Sequence, residues 1–270
     1  MDGRGSWHLL KAMDWLEEAT ARTRWLGRPF KWKDRTKSTQ DDARQWLLNG
    51  APHGAIVLAG YQTKGRGRMG RSWFSPALEN LYMTLILRLP PTAPLGTLGL
   101  FIAVRSALAL RTRLRLPVMV KWPNDLMAEG KKLGGILVEV TQEKGAMWAL
   151  VGIGINVNVR EQDFPEELRP IATSLQIVSG KQLDRGEVLK ALLLSIEEGW
   201  SHWEKGKAES FWQDFQNLDF LRGRSVQVLL PDGRLVEGVA SGITKDGQLI
   251  LQTADGTTLY VHAGEAHLKK

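Results

Sequence analysis

Two long apolar runs, "KLGGILVEVT" (Lys132–Thr141) and "MWALVGIGINVNV" (Met147–Val159), flank the turn residues Glu143–Ala146. Runs of this length, rich in Val and Ile and broken once by turn chemistry, read as a hairpin of long strands. A sheet therefore stands at the centre of the chain. "AIVLAG" (Ala55–Gly60) and "LYMTLILRL" (Leu81–Leu89) read as further buried strands, and Val118–Trp122 as a short one ending at Pro123. Helices are expected over about Trp7–Trp25, from a Ser38 or Thr39 cap to a Gly50 stop, and over Gly96–Leu116 before Pro117. Asp184 and Glu187 resemble a capping box opening a helix to about Glu204, and another helix follows around Ala208–Asn217.

From Leu221 the pattern changes. Short β-rich runs alternate with Asp-Gly turns at 232–233, 246–247 and 255–256, the grammar of a small antiparallel barrel. Three units are expected: a helical extension over 1–27, a catalytic unit over 28–220 and the barrel over 221–270.

The chain has no cysteine, which excludes disulfides, thiolate catalysis and cysteine-type zinc sites. Its five histidines (His8, His53, His202, His262, His267) have no metal-ligand spacing. Neither a signal peptide nor an apolar run of the roughly 20 residues needed to span a bilayer is read, so a cytoplasmic protein without membrane contact is expected. The net charge of +7 does not by itself imply nucleic-acid binding. Cations do cluster at Lys64–Arg71 and again at Arg105–Arg115, four in each.

In the first cluster, "TKGRGRMGRSW" (Thr63–Trp73), Gly65, Gly67 and Gly70 satisfy G-x-G-x-x-G, and Gly65–Ser72 is one residue from a P-loop. Both motifs need a helix starting at the loop to face phosphate. Ser72-Trp73-Phe74-Ser75-Pro76 cannot start one. What remains is a solvated basic turn, or a flexible arginine loop that orders around a phosphate-bearing ligand.

"KSTQ" (Lys37–Gln40), Gln62, the arginine loop, "KWPNDL" (Lys121–Leu126), "KLGGILVE" (Lys132–Glu139) and "GIGINVN" (Gly152–Asn158) occur in order. Together they resemble the biotin protein ligases, from "TRWLGRPF" near Thr23 to the terminal "GEAHLKK". The resemblance implies an α/β catalytic domain with a mixed sheet, of the class II aminoacyl-tRNA synthetase–biotin synthetase type, and a C-terminal SH3-like β-barrel. It implies ATP-dependent activation of biotin as biotinyl-5′-AMP, then transfer to a lysine of a biotin carboxyl carrier protein, a subunit of acetyl-CoA carboxylase or a similar enzyme. ATP and Mg2+ are the implied cofactors.

The same resemblance assigns residues. Lys121 would sit between the biotin carboxylate and the α-phosphate, and Arg68 would join it in catalysis. Ser38, Thr39, Gln40, Gln62, Arg66, Gly67, Arg68, Lys132 and Gly135 would hold biotin. Arg68, Trp73, Lys121, Asn124 and Asn156 would serve ATP, and Asp125 would ligate magnesium. Trp73 is equally compatible with core packing and adenine stacking, and Asn156 with a ligand site or a buried structural network. The chain departs from the family pattern at Lys37, where aspartate is common, and at Gln40, in place of asparagine. Some family members carry an N-terminal helix-turn-helix and act as repressors. Here about 27 residues precede the pattern, so a ligase without DNA binding is expected. The resemblance allows a homodimer. Two rival readings are a lipoate or octanoate ligase of related fold and a basic nucleic-acid-binding module carrying a β-barrel.

Overall fold

The computed structural model describes residues 14–77, 79–206 and 209–269. Its centre is a seven-stranded mixed sheet of order β1-β2-β3-β7-β6-β5-β4. These strands are β1 (Phe30–Lys33), β2 (Ala55–Ala59), β3 (Leu81–Leu89), β4 (Val118–Lys121), β5 (Asp125–Ala128), β6 (Lys131–Glu143) and β7 (Ala146–Ile155). Only β1 and β2 run parallel; every other pair is antiparallel. The expected hairpin is β6–β7, paired from Gly134↔Ile155 to Glu143↔Ala146.

The sheet is covered on both faces, which explains why β2 is buried at every position. Residues 14–20 form the described part of helix α1, followed by α2 (Thr39–Leu48), α3 (Leu98–Arg113), α4 (Leu175–Ser179), α5 (Arg185–Trp203) and α6 (Glu209–Leu218). Successive side chains of a strand point to opposite faces. Val57 and Ile86 accordingly pack with Ala43 and Leu47 of α2, while Ile56, Leu58, Leu85 and Leu87 join the large core with α3 and α5.

The first helix was expected to reach Trp25 but ends at Thr20. The Glu197 carboxylate of α5 accepts the backbone N–H groups of Arg24, Trp25 and Leu26 at 2.8–3.0 Å, which turns the chain out of the helix. The expected start near Trp7 lies outside the described residues. Leu95–Arg113 does reach membrane-spanning length, with mean hydropathy 1.3. Most of it is buried, because α3 is sandwiched between the sheet, α5 and α6 and is apolar nearly all round.

The last unit is a five-stranded antiparallel sheet of order β11-β10-β9-β8-β12. It comprises β8 (Ser225–Leu229), β9 (Leu235–Ile243), β10 (Leu249–Gln252), β11 (Thr258–Val261) and β12 (Glu265–Leu268). The Asp-Gly turns stand where expected, with Gly233, Gly247 and Gly256 at φ 81–86°. Its apolar residues Val226, Leu249 and Leu251 merge into the main core, and the indole of buried Trp122 donates to Gly247 O at 2.9 Å. The chain enters this unit through Asp219, which bridges to Val120 of β4.

Candidate active site

One cavity opens between the N-terminus of α2, the arginine loop, the β4–β5 turn and β12. At its first end Ser38 caps α2 by accepting the Gln40 N–H. Thr39 donates to Gln62 Oε1 from both its backbone N–H (2.9 Å) and its hydroxyl (3.2 Å), and Thr84 donates to the Thr39 hydroxyl at 2.9 Å. Gln62 Nε2 donates to the Ser75 hydroxyl at 3.2 Å, which donates to Trp73 O at 3.0 Å. Gln40 is 3% exposed; its Nε2 reaches Leu150 O at 3.4 Å and its Oε1 has no hydrogen-bond partner. A buried carbonyl oxygen left without a donor is costly and marks a place where a ligand N–H would be welcome.

The arginine loop forms the roof. It is internally bonded: Trp73 N–H donates to Gly65 O, Gly67 N–H to Arg71 O, and Arg66 bridges Ser72. Met69 turns the chain with φ 55°. Arg66 pairs with Asp41 at 2.8 Å, Arg68 donates to Asn124 Oδ1 at 3.2 Å and to Gly264 O at 3.4 Å, and Arg71 pairs with Glu265. Trp73 lies flat enough on Gly154 that a Cβ there would meet its Nε1 at 2.7 Å. That indole N–H is buried without a partner, and Lys132 Nζ sits 5.5 Å from its ring centre.

Cations converge at the other end. Lys121 and Asp125 are directly paired across β4–β5, and Asp125 Oδ1 lies 2.7 Å from Lys132 Nζ. Asn124 spends its amide on Ile136 O at 2.5 Å. Lys121 is half-buried and, among the described residues, has no salt-bridge or hydrogen-bond partner. Burial pushes its amine below the ordinary lysine value, and Lys132 and Arg71 act the same way, while Asp125 and Glu265 oppose them. The arrangement pairs an amide- and hydroxyl-lined end with a cation that has no direct partner among the described residues, suited to a ligand that is polar and neutral at one tip and anionic at the other.

Bifunctional ligase/repressor BirA of Bacillus subtilis is 34% identical over 261 residues, 94% of this chain and 79% of that protein. The chain belongs to the biotin protein ligase family. Residues 32–156 match the model of the biotin/lipoate A/B protein ligase family, and residues 222–269 that of the biotin protein ligase C-terminal domain. The biotin–[acetyl-CoA-carboxylase] ligase of Mycobacterium tuberculosis is 31% identical, over 94% of this chain and 96% of that one. A solved biotin protein ligase from Aquifex aeolicus, in complex with biotin and ATP, superposes with a TM-score of 0.76 at 30% identity. That match covers 89% of this chain and 98% of that one.

Within this biotin protein ligase fold, every predicted site residue except Asn156 lines the one cavity. Asn156 is 5% exposed and turned away from it. Its amide donates to Thr173 O at 3.0 Å and its oxygen accepts from Asn80 at 3.2 Å, a network that holds the end of β7. Sequence reasoning missed Arg71, Glu265 and Tyr82 as lining residues. Arg71 lay inside the basic cluster already noticed. Glu265 had no local signal, because only the folding of the second unit against the first brings it there. Three of the four arginines of the second cluster are engaged with protein: Arg105 and Arg113 pair with Glu198, and Arg111 donates to Val118 O, while Arg115 is exposed.

Proposed function

We propose that this biotin protein ligase activates biotin with ATP as biotinyl-5′-AMP and transfers it to a lysine of a biotin carboxyl carrier protein. The observation that carries the reading is Lys121, a half-buried cation without a partner in a cavity whose other basic groups are engaged. The main obstacle in the first step is bringing two anions together, and a fixed, desolvated cation meets it. A biotin carboxylate oxygen forms a bond to the α-phosphorus, the bond to the bridging oxygen breaks, and pyrophosphate leaves. In the second step a neutral lysine amine attacks the acyl carbon and AMP leaves.

In this reading Lys121 lies between carboxylate and α-phosphate. Ser38, Thr39, Gln40 and Gln62 receive the ureido ring, with Lys132 and Gly135 beside it. Arg66, Gly67 and Arg68 close over the adenylate and exclude water from the anhydride. Trp73 and Asn124 border the nucleotide; Asn156 supports them from outside the cavity. Magnesium fits as an ion carried in with ATP. Among the described residues no cluster of three His, Cys, Asp or Glu side chains occurs, and Asp125 lines the cavity on the strand facing Lys121. Asp125 would hold the ion, which would screen phosphate charge. The Mycobacterium tuberculosis relative, named for acetyl-CoA carboxylase, supports a carrier of that class.

The test is ATP–pyrophosphate exchange, run with biotin and then with lipoate. Exchange dependent on biotin is expected. Exchange with lipoate alone would overturn the substrate assignment, and exchange with neither would overturn the adenylation step.

A further inference from the structure

Thr84 lies in the middle of β3, fully buried, and does not line the cavity. Its hydroxyl nevertheless starts a chain of hydrogen bonds that runs Thr84, Thr39, Gln62, Ser75 and ends on Trp73 O. The direction of every link is forced. A carbonyl only accepts, so Ser75 donates its proton to Trp73 O and takes the Gln62 amide N–H as acceptor. A backbone N–H only donates, so Thr39 N–H fixes the Gln62 carbonyl oxygen toward α2. Both ends agree on the Gln62 orientation. The Thr39 hydroxyl must then donate to that same oxygen, and Thr84 must donate to Thr39.

This leaves the Thr39 hydroxyl, whose residue lines the cavity, with its proton spent and one lone pair free as an acceptor. Gln40, the next residue, also lines the cavity and carries an unpartnered Oε1, so this end offers acceptors to a ligand edge carrying N–H groups. The far end of the chain is clamped as well: a Cβ on Gly65 would stand 2.6 Å from Ser75 Oγ and 2.8 Å from Trp73 O. The chain and the base of the arginine loop therefore share one rigid seat.

We propose that Thr84 is a positioning residue for biotin: by donating to Thr39 it holds that hydroxyl as a fixed acceptor for a ureido N–H. The proposal rests on the ligase reading above. Without Thr84, the Thr39 hydroxyl loses one of the two contacts that orient it, and a ligand N–H must order it at its own cost. A binding defect follows, with no change in the chemistry at the carboxylate end.

The experiment measures ATP–pyrophosphate exchange against biotin concentration for the parent chain, Thr84→Val and Thr84→Ser, with thermal melts of all three. Val matches Thr in shape and removes the hydroxyl. Thr84→Val should raise the half-saturating biotin concentration about 3- to 10-fold, the worth of one neutral hydrogen bond, with the maximal rate and the ATP response unchanged. Thr84→Ser should restore the parental value. An unchanged biotin response in a folded Thr84→Val protein overturns the proposal, as does equal loss of biotin and ATP affinity, or failure of Thr84→Ser to restore. If Thr84→Val does not fold, Thr84→Ser and Thr84→Ala carry the comparison; equal biotin affinity in those two overturns it. No exchange in the parent protein would instead overturn the ligase reading, and the relay's ligand with it.

Discussion

Lys121 faces Asp125 directly across the β4–β5 ladder, yet Asp125 gives its carboxylate to Lys132, 2.7 Å away. Among the described residues the Lys121 amine is thus left without a direct ion pair, while Lys132 has one. Replacing it, as Lys121→Ala, removes no ion pair and should leave the melting temperature near the parental one. Adenylate formation should fall by about 3–4 kcal/mol, roughly 10²- to 10³-fold, as for loss of one preorganised electrostatic group. Pyrophosphate exchange at the parental rate in a folded variant would remove Lys121 from the mechanism.

The same amine sets a pH limit. Its ordinary value is 10.5, and burial lowers it in the folded chain. The catalytic charge is therefore lost at lower pH than for a free lysine, so kcat/KM for exchange should decline on the alkaline side below that value. Stability moves the opposite way: over that window the unfolded chain binds more protons, so this group's penalty on folding is relieved as pH rises. Lys121→Arg, which stays charged, should lose the alkaline limb. A limb that persists in that variant belongs to another group.

Trp122 ties the two sheets together through its indole N–H on Gly247 O. Trp122→Phe keeps most of the packing but leaves a buried carbonyl unpaired, at a cost of about 1–3 kcal/mol. Urea denaturation should register that loss, with earlier proteolysis near residues 219–224 as the second unit loosens. A change under 0.5 kcal/mol would mean that the indole bond contributes nothing net.

Glu197 serves as acceptor for three consecutive backbone N–H groups, those of Arg24, Trp25 and Leu26. Glu197→Ala strands them together and should lower stability by about 2–3 kcal/mol. Activity per folded molecule should be unchanged, since neither Glu197 nor residues 24–26 line the cavity. Equal denaturation midpoints for parent and variant would contradict the reading.

Arg68 bonds both Asn124 and Gly264 O, which holds the loop across the cavity. Arg68→Gly removes both bonds and adds backbone freedom. If the loop retains the adenylate, loss of one charged hydrogen bond, about 1.5–3 kcal/mol, speeds its escape roughly 10- to 150-fold. Activated biotin should then label a bystander lysine-rich protein, seen by blotting. Intact adenylate synthesis with no bystander labelling would show that the loop is not a lid.

The elements legible in the sequence were those whose chemistry is local. The β6–β7 hairpin, the Ser38 and Asp184 caps and the Asp-Gly turns carry their signals within a few residues, and each is where the pattern places it. β1 and β5 were not read: "FKWK" interleaves lysines with aromatics and "DLMA" begins in the turn after Pro123, so neither shows the apolar run that marks the equally short β4. The end of α1 depends on Glu197, more than 170 residues away in the chain. Asn156 directly follows the apolar strand β7 and its cavity glycines, and only the positions of Asn80 and Thr173 reveal that its amide is already used. The motifs brought thirteen of the fourteen named residues to one cavity; Glu265 needed the fold.

The flanks of the large sheet have an implication for how this protein behaves in a crowded solution. Unpaired strand edges are templates for joining one chain to another. At one flank the backbone of Asp219 and Phe220 lies along β4 and occupies its open side. At the other flank β1 has no second strand partner among the described residues, and it alternates exposed Lys31 and Lys33 with half-buried Phe30 and Trp32. A second copy approaching that edge would bring two ammonium groups against two more. Like charges at this spacing repel, so the sheet is terminated by covalent continuity on one side and by charge on the other.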